Sequence, residues 1–403
     1  MQPPPNRLNS AEHTNCGCYP HTVARTTFGT CPIPVAAVRH NARTARRIAH
    51  VTVNLEPASQ VSTTPNQPPP GISRTSIYVA AGRAIGAREP DPSVRNPDHL
   101  AERLLGDPAV LGVNHPAVHA LSLSYDEAMT NVEVVNIVRL MMIRTRFIDE
   151  ALERAIRRGA TQVVILGAGF DTHAYRCQAL LAEARVFEVD RAATQALKQQ
   201  RVAAAIGTFP VNLTYVPIDF QRQDLASVLT RHGYDAAQPT FFILEGVTMY
   251  LPEEAVRQTL GFVAAHPPGS GIVFDFVYRE MIDVLTRIDI AAVPEAARPF
   301  VQRFLSLSRD EPWVFGIDMG NEREYLARLG LELRELMTAG GEESLARYLT
   351  KADGTQVGGQ TIVEGGARMA ARLASGGEPA DVEQARAQQR LMSYQLADAI
   401  VRS

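Results

Sequence analysis

Along this chain the spacing of apolar residues changes twice. From Met1 to Thr75 the apolar runs are short and follow neither a helical nor a strand period, and eleven of the 26 prolines fall there. Such a segment cannot bury enough surface to offset its ordering entropy. Residues 1–75 are therefore expected to be disordered, closing on Pro68-Pro69-Pro70-Gly71. From Ser76 helical spacing sets in. Ile77–Arg88 reads as a helix, and Asn96-Pro97-Asp98 can start another that runs through Leu105. Asn131–Arg158 is the longest, with Val134, Val138, Met141, Phe147, Ile148, Ala151, Leu152 and Ala155 at helical intervals.

Beyond that helix the pattern alternates. Apolar, β-branched runs at Gln162–Leu166, Arg185–Val189, Leu213–Pro217, Thr240–Leu244 and Gly271–Phe276 predict buried strands. Helical segments around Ala179 and at Ala192–Ala205, Asp224–Arg231 and Glu253–Ala265 lie between them. Strands separated by helices make βαβ units and a parallel sheet covered on both faces. The expectation is a doubly wound α/β domain over residues 76–375. Tyr278–Arg309 reads as a long helical insertion and Glu324–Glu335 as a helix–strand pair. Residues 376–403 read as a helical extension, helix-like over Asp381–Val401.

Composition narrows the function classes. With 45% hydrophobic and 21% charged residues the chain is an ordinary soluble one. Among its 40 basic residues only Lys198 and Lys351 are lysines, which raises the question of an arginine-rich, phosphate-binding surface. The distribution of charge answers it. Residues 1–75 carry seven arginines against Glu12 and Glu56, so the rest of the chain is more acidic than the overall −3. An acidic domain repels a phosphate backbone, so nucleic acid is not an expected partner, and the arginine excess reads as coding bias.

No run reaches the ~18–20 consecutive apolar residues of a membrane span. Cys16-Gly17-Cys18, with His21 and Cys31, is spaced too tightly for the C-x₂₋₄-C of a paired zinc site, so no metal is expected. Four cysteines are too few for a disulfide framework, and a reducing cytoplasm is the simpler setting. The arginine-rich, acid-poor head also fits a transit segment or an over-long reading frame.

In doubly wound sheets ligands bind beyond the carboxyl ends of the strands. The first strand is followed by Gly167-Ala168-Gly169-Phe170-Asp171-Thr172. Two glycines let the backbone turn sharply and approach a ligand closely. The dinucleotide fingerprint requires a third glycine where Thr172 stands, and Asp171 puts negative charge where a phosphate would sit. A cationic, phosphate-free ligand fits better.

Asp190, ending the second strand 21 residues beyond Gly169, stands where a carboxylate accepts the two hydroxyls of a ribose; it could also cap the helix that follows. After the third strand Asp219 can accept from an adenine amine and Phe220 can cover a ring face. Glu245, ending the fourth strand, would be costly if buried alone and should face a polar cleft or a cation. Arg144 on the long helix is a candidate for a ligand carboxylate. A diol acceptor, an adenine acceptor, an arginine and no phosphate cradle describe S-adenosylmethionine better than NAD or ATP.

These residues also resemble a known family. Arg144-Thr145-Arg146-Phe147-Ile148-Asp149, Leu166-Gly167-Ala168-Gly169-Phe170-Asp171-Thr172, Phe187-Glu188-Val189-Asp190, Asp219-Phe220 and Leu244-Glu245-Gly246-Val247-Thr248-Met249-Tyr250-Leu251 are similar, in order and spacing, to the leucine carboxyl methyltransferase superfamily and its bacterial S-adenosylmethionine-dependent branch. The likeness covers roughly Ser76 to Arg372. It implies a class I methyltransferase (Rossmann-like) fold, a mostly parallel seven-stranded sheet ending in an antiparallel hairpin.

It further implies that Arg144 holds the methionine carboxylate, Gly167 and Gly169 form the cofactor loop, and Asp190 binds ribose. Asp219 and Phe220 would take adenine, Glu245 would lie beside the methionine part, and Tyr250 would be near the acceptor. Two departures stand out: His173 where the family usually has arginine, and Ala192 where proline often follows the ribose-binding acid.

Methyl transfer from a sulfonium needs alignment more than a strong base. A carboxylate acceptor is already ionised at neutral pH, so no general base is expected. The expected function is O-methylation of a carboxylate or hydroxyl on a small molecule. A nicotinamide-dependent oxidoreductase and a non-catalytic cofactor-binding scaffold are the alternatives. Oligomeric state is not legible in the chain.

Overall fold

A computed structural model of the chain describes residues 73–359 and 382–402, apart from 109–110, 221 and scattered positions between 292 and 310. All of these belong to one compact unit, Val61–Ser403. The expectation of disorder and the Cys16, Cys18, His21 and Cys31 cluster lie outside the described residues.

Helix α1 (Arg74–Gly86) begins with Ser73 as its cap: the Ser73 hydroxyl accepts the Ser76 N–H at 3.2 Å, satisfying one of the first-turn donors. Ser73 and Thr75, which the sequence reading assigns to the head, therefore belong to the folded unit. Short helices α2 (Ala101–Leu105), α3 (Pro116–His119) and α4 (Tyr125–Ala128) follow. Asn96-Pro97-Asp98 does not start a helix. Asn96 Nδ2 donates to the Met141 carbonyl at 3.1 Å and Asp98 accepts Arg83 Nε at 2.8 Å. With both side chains committed to tertiary bonds, α2 begins only at Ala101.

The long helix α5 (Val132–Arg157) leads into the sheet. Its strands are β1 (Gln162–Leu166), β2 (Arg185–Asp190), β3 (Leu213–Pro217), β4 (Thr240–Leu244), β5 (Gly271–Phe276), β6 (Leu331–Thr338) and β7 (Gln395–Val401). Between them lie α6 (His173–Arg176), α7 (Ala192–Ala205), α8 (Leu225–Arg231), α9 (Glu253–Ala264), α10 (Arg279–Arg287), α11 (Glu322–Arg328), α12 (Glu342–Tyr348) and α13 (Val382–Leu391). The sheet order is β3-β2-β1-β4-β5-β7-β6.

Strand side chains alternate between two cores. Val163, Ile165, Phe241 and Ile243 join the α1 and α5 side, while Val164, Leu166, Phe242 and Leu244 join the side of α8 and α9. Burial on both faces is why these strands read as unbroken apolar runs.

The carboxyl end is the main correction to the sequence reading. Within the expected helical extension, Val382–Leu391 is helical (α13), but Gln395–Val401 is a strand. After α13 the chain enters the sheet as β7, antiparallel both to β5, through pairs such as Val273 with Asp398, and to β6, through pairs such as Leu331 with Val401. Gln, Leu and Ala favour helices in isolation, but two waiting strand edges decide the conformation here.

Of the expected insertion, α10 forms its first part. The chain then returns beside β5: Tyr278 bridges Ile317, and the Val314 N–H donates to the Met249 carbonyl at 2.8 Å. Among the described residues no helix is long and apolar enough to cross a membrane.

Candidate functional site

From β1 the chain winds outward through β2 and β3, then returns to place β4 on the other side of β1. At such a switch point the loops part and leave a crevice beyond the carboxyl ends of the strands. A cavity of about 230 Å³ lies there. Its walls come from the loops after β1, β2 and β4, the start of α1, Arg144 on α5, and Tyr394 just before β7.

The β1 loop is held by backbone. Gly167 and Ala168 donate to the Val189 carbonyl at 2.8 and 3.1 Å, which ties the loop to β2. Gly167 has φ 67°, in the left-handed region, and a Cβ there would come within 2.8 Å of a Val247 methyl carbon. Asp190 closes the same end. Its Oδ2 accepts the Gly169 N–H at 2.6 Å and its Oδ1 accepts the Arg191 N–H at 2.6 Å. A carboxylate has about four lone-pair sites, so two remain for a ligand diol.

At the middle of the crevice stands Arg144, only 3% exposed. Its Nη2 lies 2.8 Å from Glu245 Oε1 and its Nη1 donates to Asp275 Oδ2 at 2.9 Å. Burial works against the guanidinium charge, and the two carboxylates outweigh it, so Arg144 stays protonated. Asp275 is fixed in turn by the Gly246 N–H at 2.7 Å. Arg83 adds a second cation, donating to Asp98 at 2.8 Å and to the Phe170 carbonyl at 2.8 Å, with Nη1 3.6 Å from Glu245. Among the described residues Arg144 Nε has no acceptor, so the guanidinium keeps donor capacity beyond its two ion pairs.

Farther toward β5 and β7 the wall becomes aromatic. Tyr250 lies in a 3-10 turn, Thr248–Tyr250, with its partly buried phenol near Trp313 and Thr75. Tyr394 completes this end, its ring edge-on to Trp313 with centroids 5.6 Å apart.

The fold thus brings Arg144, Gly167, Gly169, Asp190, Glu245 and Tyr250 to one cavity. It does not bring Asp219 and Phe220 to its wall. They follow β3, next to Asp190 through the Ile218 N–H, which donates to the Asp190 carbonyl at 2.9 Å, but both are exposed, Phe220 by 50%.

Sequence reasoning passed over Asp275, Arg83, Thr75, Trp313 and Tyr394. Asp275 carried a usable signal, an acid inside an apolar strand, the same one that marks Glu245. Arg83, between Gly82 and Ala84 on an otherwise small and apolar stretch, carried a fainter one. The others are distant in the chain, and nothing local marks them.

His173 sits behind the glycine loop. Its Nδ1 is 2.7 Å from Asp171 Oδ2, its Nε2 is 3.0 Å from Asp149 Oδ1, and Arg176 pairs with Asp149 at 2.5 Å. Burial disfavours the imidazolium, but Asp171 overcomes this and lifts the His173 pKa to about 9. The Asp171 charge is therefore neutralised inside the protein, facing the loop it shapes.

The profile of the leucine carboxyl methyltransferase family matches residues 76–264. A protein of Mycolicibacterium vanbaalenii named "Putative S-adenosyl-L-methionine-dependent methyltransferase" is 33% identical over 295 residues, covering 68% of this chain and 88% of its own. A Bacillus subtilis protein of the same description is 30% identical over 216 residues, 51% of this chain and 70% of its own. Among solved structures, a DUF574 family protein from Streptomyces avermitilis is 16% identical with a TM-score of 0.41, covering 68% of this chain and 88% of that one.

Proposed function

Since this chain belongs to the leucine carboxyl methyltransferase family and is an S-adenosylmethionine-dependent methyltransferase, we propose that the strand-end cavity holds the cofactor and directs its methyl group to an oxygen, of a carboxylate or hydroxyl, on a small molecule. The observation that carries this reading is the order of chemistry along the cavity: a half-used carboxylate at Asp190, a left-handed glycine turn, then the Arg144–Glu245 pair, then an aromatic wall.

That order matches the cofactor end to end. Asp190 has lone pairs for the ribose diol. Gly167 and Gly169 let the backbone come close to the ligand between ribose and sulfur. Arg144 and Glu245 suit a zwitterionic amino acid, guanidinium to carboxylate and carboxylate to ammonium, so that no charge is left uncompensated. Exposed Phe220 offers an apolar face that an adenine ring would cover, with Asp219 beside it. When bound, the cofactor supplies a methyl group on a positively charged sulfur. Tyr250, at the aromatic end, orients the acceptor oxygen in line with it.

Replacing Asp190 by alanine removes the diol acceptor and also frees the Gly169 and Arg191 N–H groups. The expected result is a loss of well over about tenfold in S-adenosylmethionine affinity by calorimetry. Unchanged affinity would remove the ribose assignment.

A further inference from the structure

The end of the cavity away from Asp190 is built from groups that treat a charged and an uncharged acceptor differently. The Thr75 hydroxyl donates to Glu311 Oε2 and lies beside Tyr78 and Tyr250. Glu311 and Trp313 are carried by the segment that the Met249 carbonyl anchors through the Val314 N–H at 2.8 Å. Glu311 is therefore wired to the cavity wall through Thr75. Burial pushes the phenols of Tyr78, Tyr250 and Tyr394 up, so all three are neutral at ordinary pH.

Charge at this end is negative or already committed. Arg83 is paired with Asp98, and Arg144 is shared by Glu245 and Asp275. A carboxylate brought against Tyr250 and Tyr394 would share the cavity with Glu245 and come near Glu311, which Thr75 bonds. A flat molecule with an uncharged hydroxyl meets different conditions. Its ring lies against Tyr250 and Tyr394, and its O–H finds Thr75, whose own proton is given to Glu311 and whose oxygen keeps acceptor capacity.

Resting on the methyltransferase reading above, we propose that the methyl acceptor is an uncharged, ring-bearing hydroxyl compound whose O–H is held by Thr75, and that Glu311, acting through Thr75, is a positioning residue that receives the proton and turns carboxylates away. In the transfer the acceptor oxygen forms the new O–CH₃ bond, and the electron pair of the broken S–CH₃ bond stays on sulfur, leaving a neutral thioether. The hydroxyl proton passes to Thr75 as Thr75 gives its own to Glu311, and from there it goes to solvent. This differs from the already ionised acceptor that the family resemblance implies.

Two size-matched probes, p-cresol and p-toluate, test it on the full chain loaded with S-adenosylhomocysteine. Calorimetry measures affinity, and the fluorescence of Trp313, the single tryptophan, reports binding at this end. The expected result is p-cresol binding at least about tenfold tighter than p-toluate at neutral pH, with a change in Trp313 emission. In Glu311→Gln the preference should shrink to about threefold or less, with S-adenosylhomocysteine affinity retained as the sign of an intact fold. If that variant does not fold, Thr75→Val carries the same comparison. p-Toluate binding as tightly as p-cresol would overturn the proposal, as would failure of both to bind the loaded protein or a preference unmoved by either variant. Failure to bind S-adenosylhomocysteine at all would instead count against the cofactor reading on which it rests.

Discussion

His173 is a buried imidazole between two carboxylates, and its charge is part of what holds the glycine loop. Its folded pKa of about 9 lies above the unfolded value of roughly 6.5. A raised cationic group contributes its full stability below the unfolded pKa and loses it as pH rises through the folded one. His173→Gln, which cannot charge, should therefore be less stable than the natural chain at pH 6 by on the order of 2–3 kcal/mol. The gap should close as pH rises through about 9, which urea denaturation at a series of pH values would read directly. A gap that does not change with pH would mean that packing, not charge, is what His173 supplies. At this scale much of the site was legible in the chain. Arg144, Gly167, Gly169, Asp190, Glu245 and Tyr250 all reach the cavity; Asp190 and Glu245 were the most legible, because a carboxylate that ends an apolar strand is costly to bury alone.

Among elements, β7 departs furthest from its local preferences. It is the last strand in sequence, yet it fills the gap between β5 and β6 and is antiparallel to both. Leu396, Ala397 and Ala399 are buried in the two cores, and Asp398 is buried against Arg154 at 3.0 Å. Removing residues 382–403 would leave two unpaired strand edges and an apolar slot, so the truncated chain should lose its cooperative thermal transition and aggregate. Calorimetry and solubility would show this; a sharp transition near that of the whole chain would contradict the role given to β7. The same removal takes Tyr394 from the cavity, which links the last strand of the fold to the site. The bounds of β1, β3, β4 and β5 agree with the sequence pattern because each is a run of apolar residues between turns. That of β7 could not, since its partners lie far away in the chain.

For the whole molecule, the cavity is where distant parts of the chain meet. Its wall takes residues from α1, α5, three strand-end loops and the turn before β7, so a ligand there binds only the assembled fold. At a concentration of about 100 times its dissociation constant, S-adenosylhomocysteine should add about 2.7 kcal/mol of stability. For a folded unit of this size that corresponds to a melting temperature higher by roughly 3–5 °C. In Asp190→Ala at the same concentration most of that rise should disappear, a comparison that thermal scanning of both proteins makes. An equal rise in both would show that the ligand is held elsewhere.

The excess of arginine over lysine looks different at this scale. Two of the three arginines that line the cavity, Arg83 and Arg144, face carboxylates, as does Arg154 beneath β7. Planar guanidinium groups can serve two acids at once, which a lysine cannot do with the same geometry.

By itself the chain determined strands β1 to β5, the helices α7 to α9 between them, the parallel sheet they make, and the residues at the strand ends. These depend on neighbours within a few positions and on which side chains tolerate burial. The helix expected around Ala179 is instead the short α6, His173–Arg176, and Ala179 lies in a turn. Tertiary structure alone decided that the carboxyl-terminal residues become an inserted antiparallel strand. It also decided that Thr75 meets Glu311 and Tyr394 meets Trp313 at the aromatic end of the cavity, and that Arg144 is shared by Glu245 and Asp275. Each of those outcomes joins segments far apart in sequence, and the energy that selects them appears only when two buried surfaces or opposite charges meet.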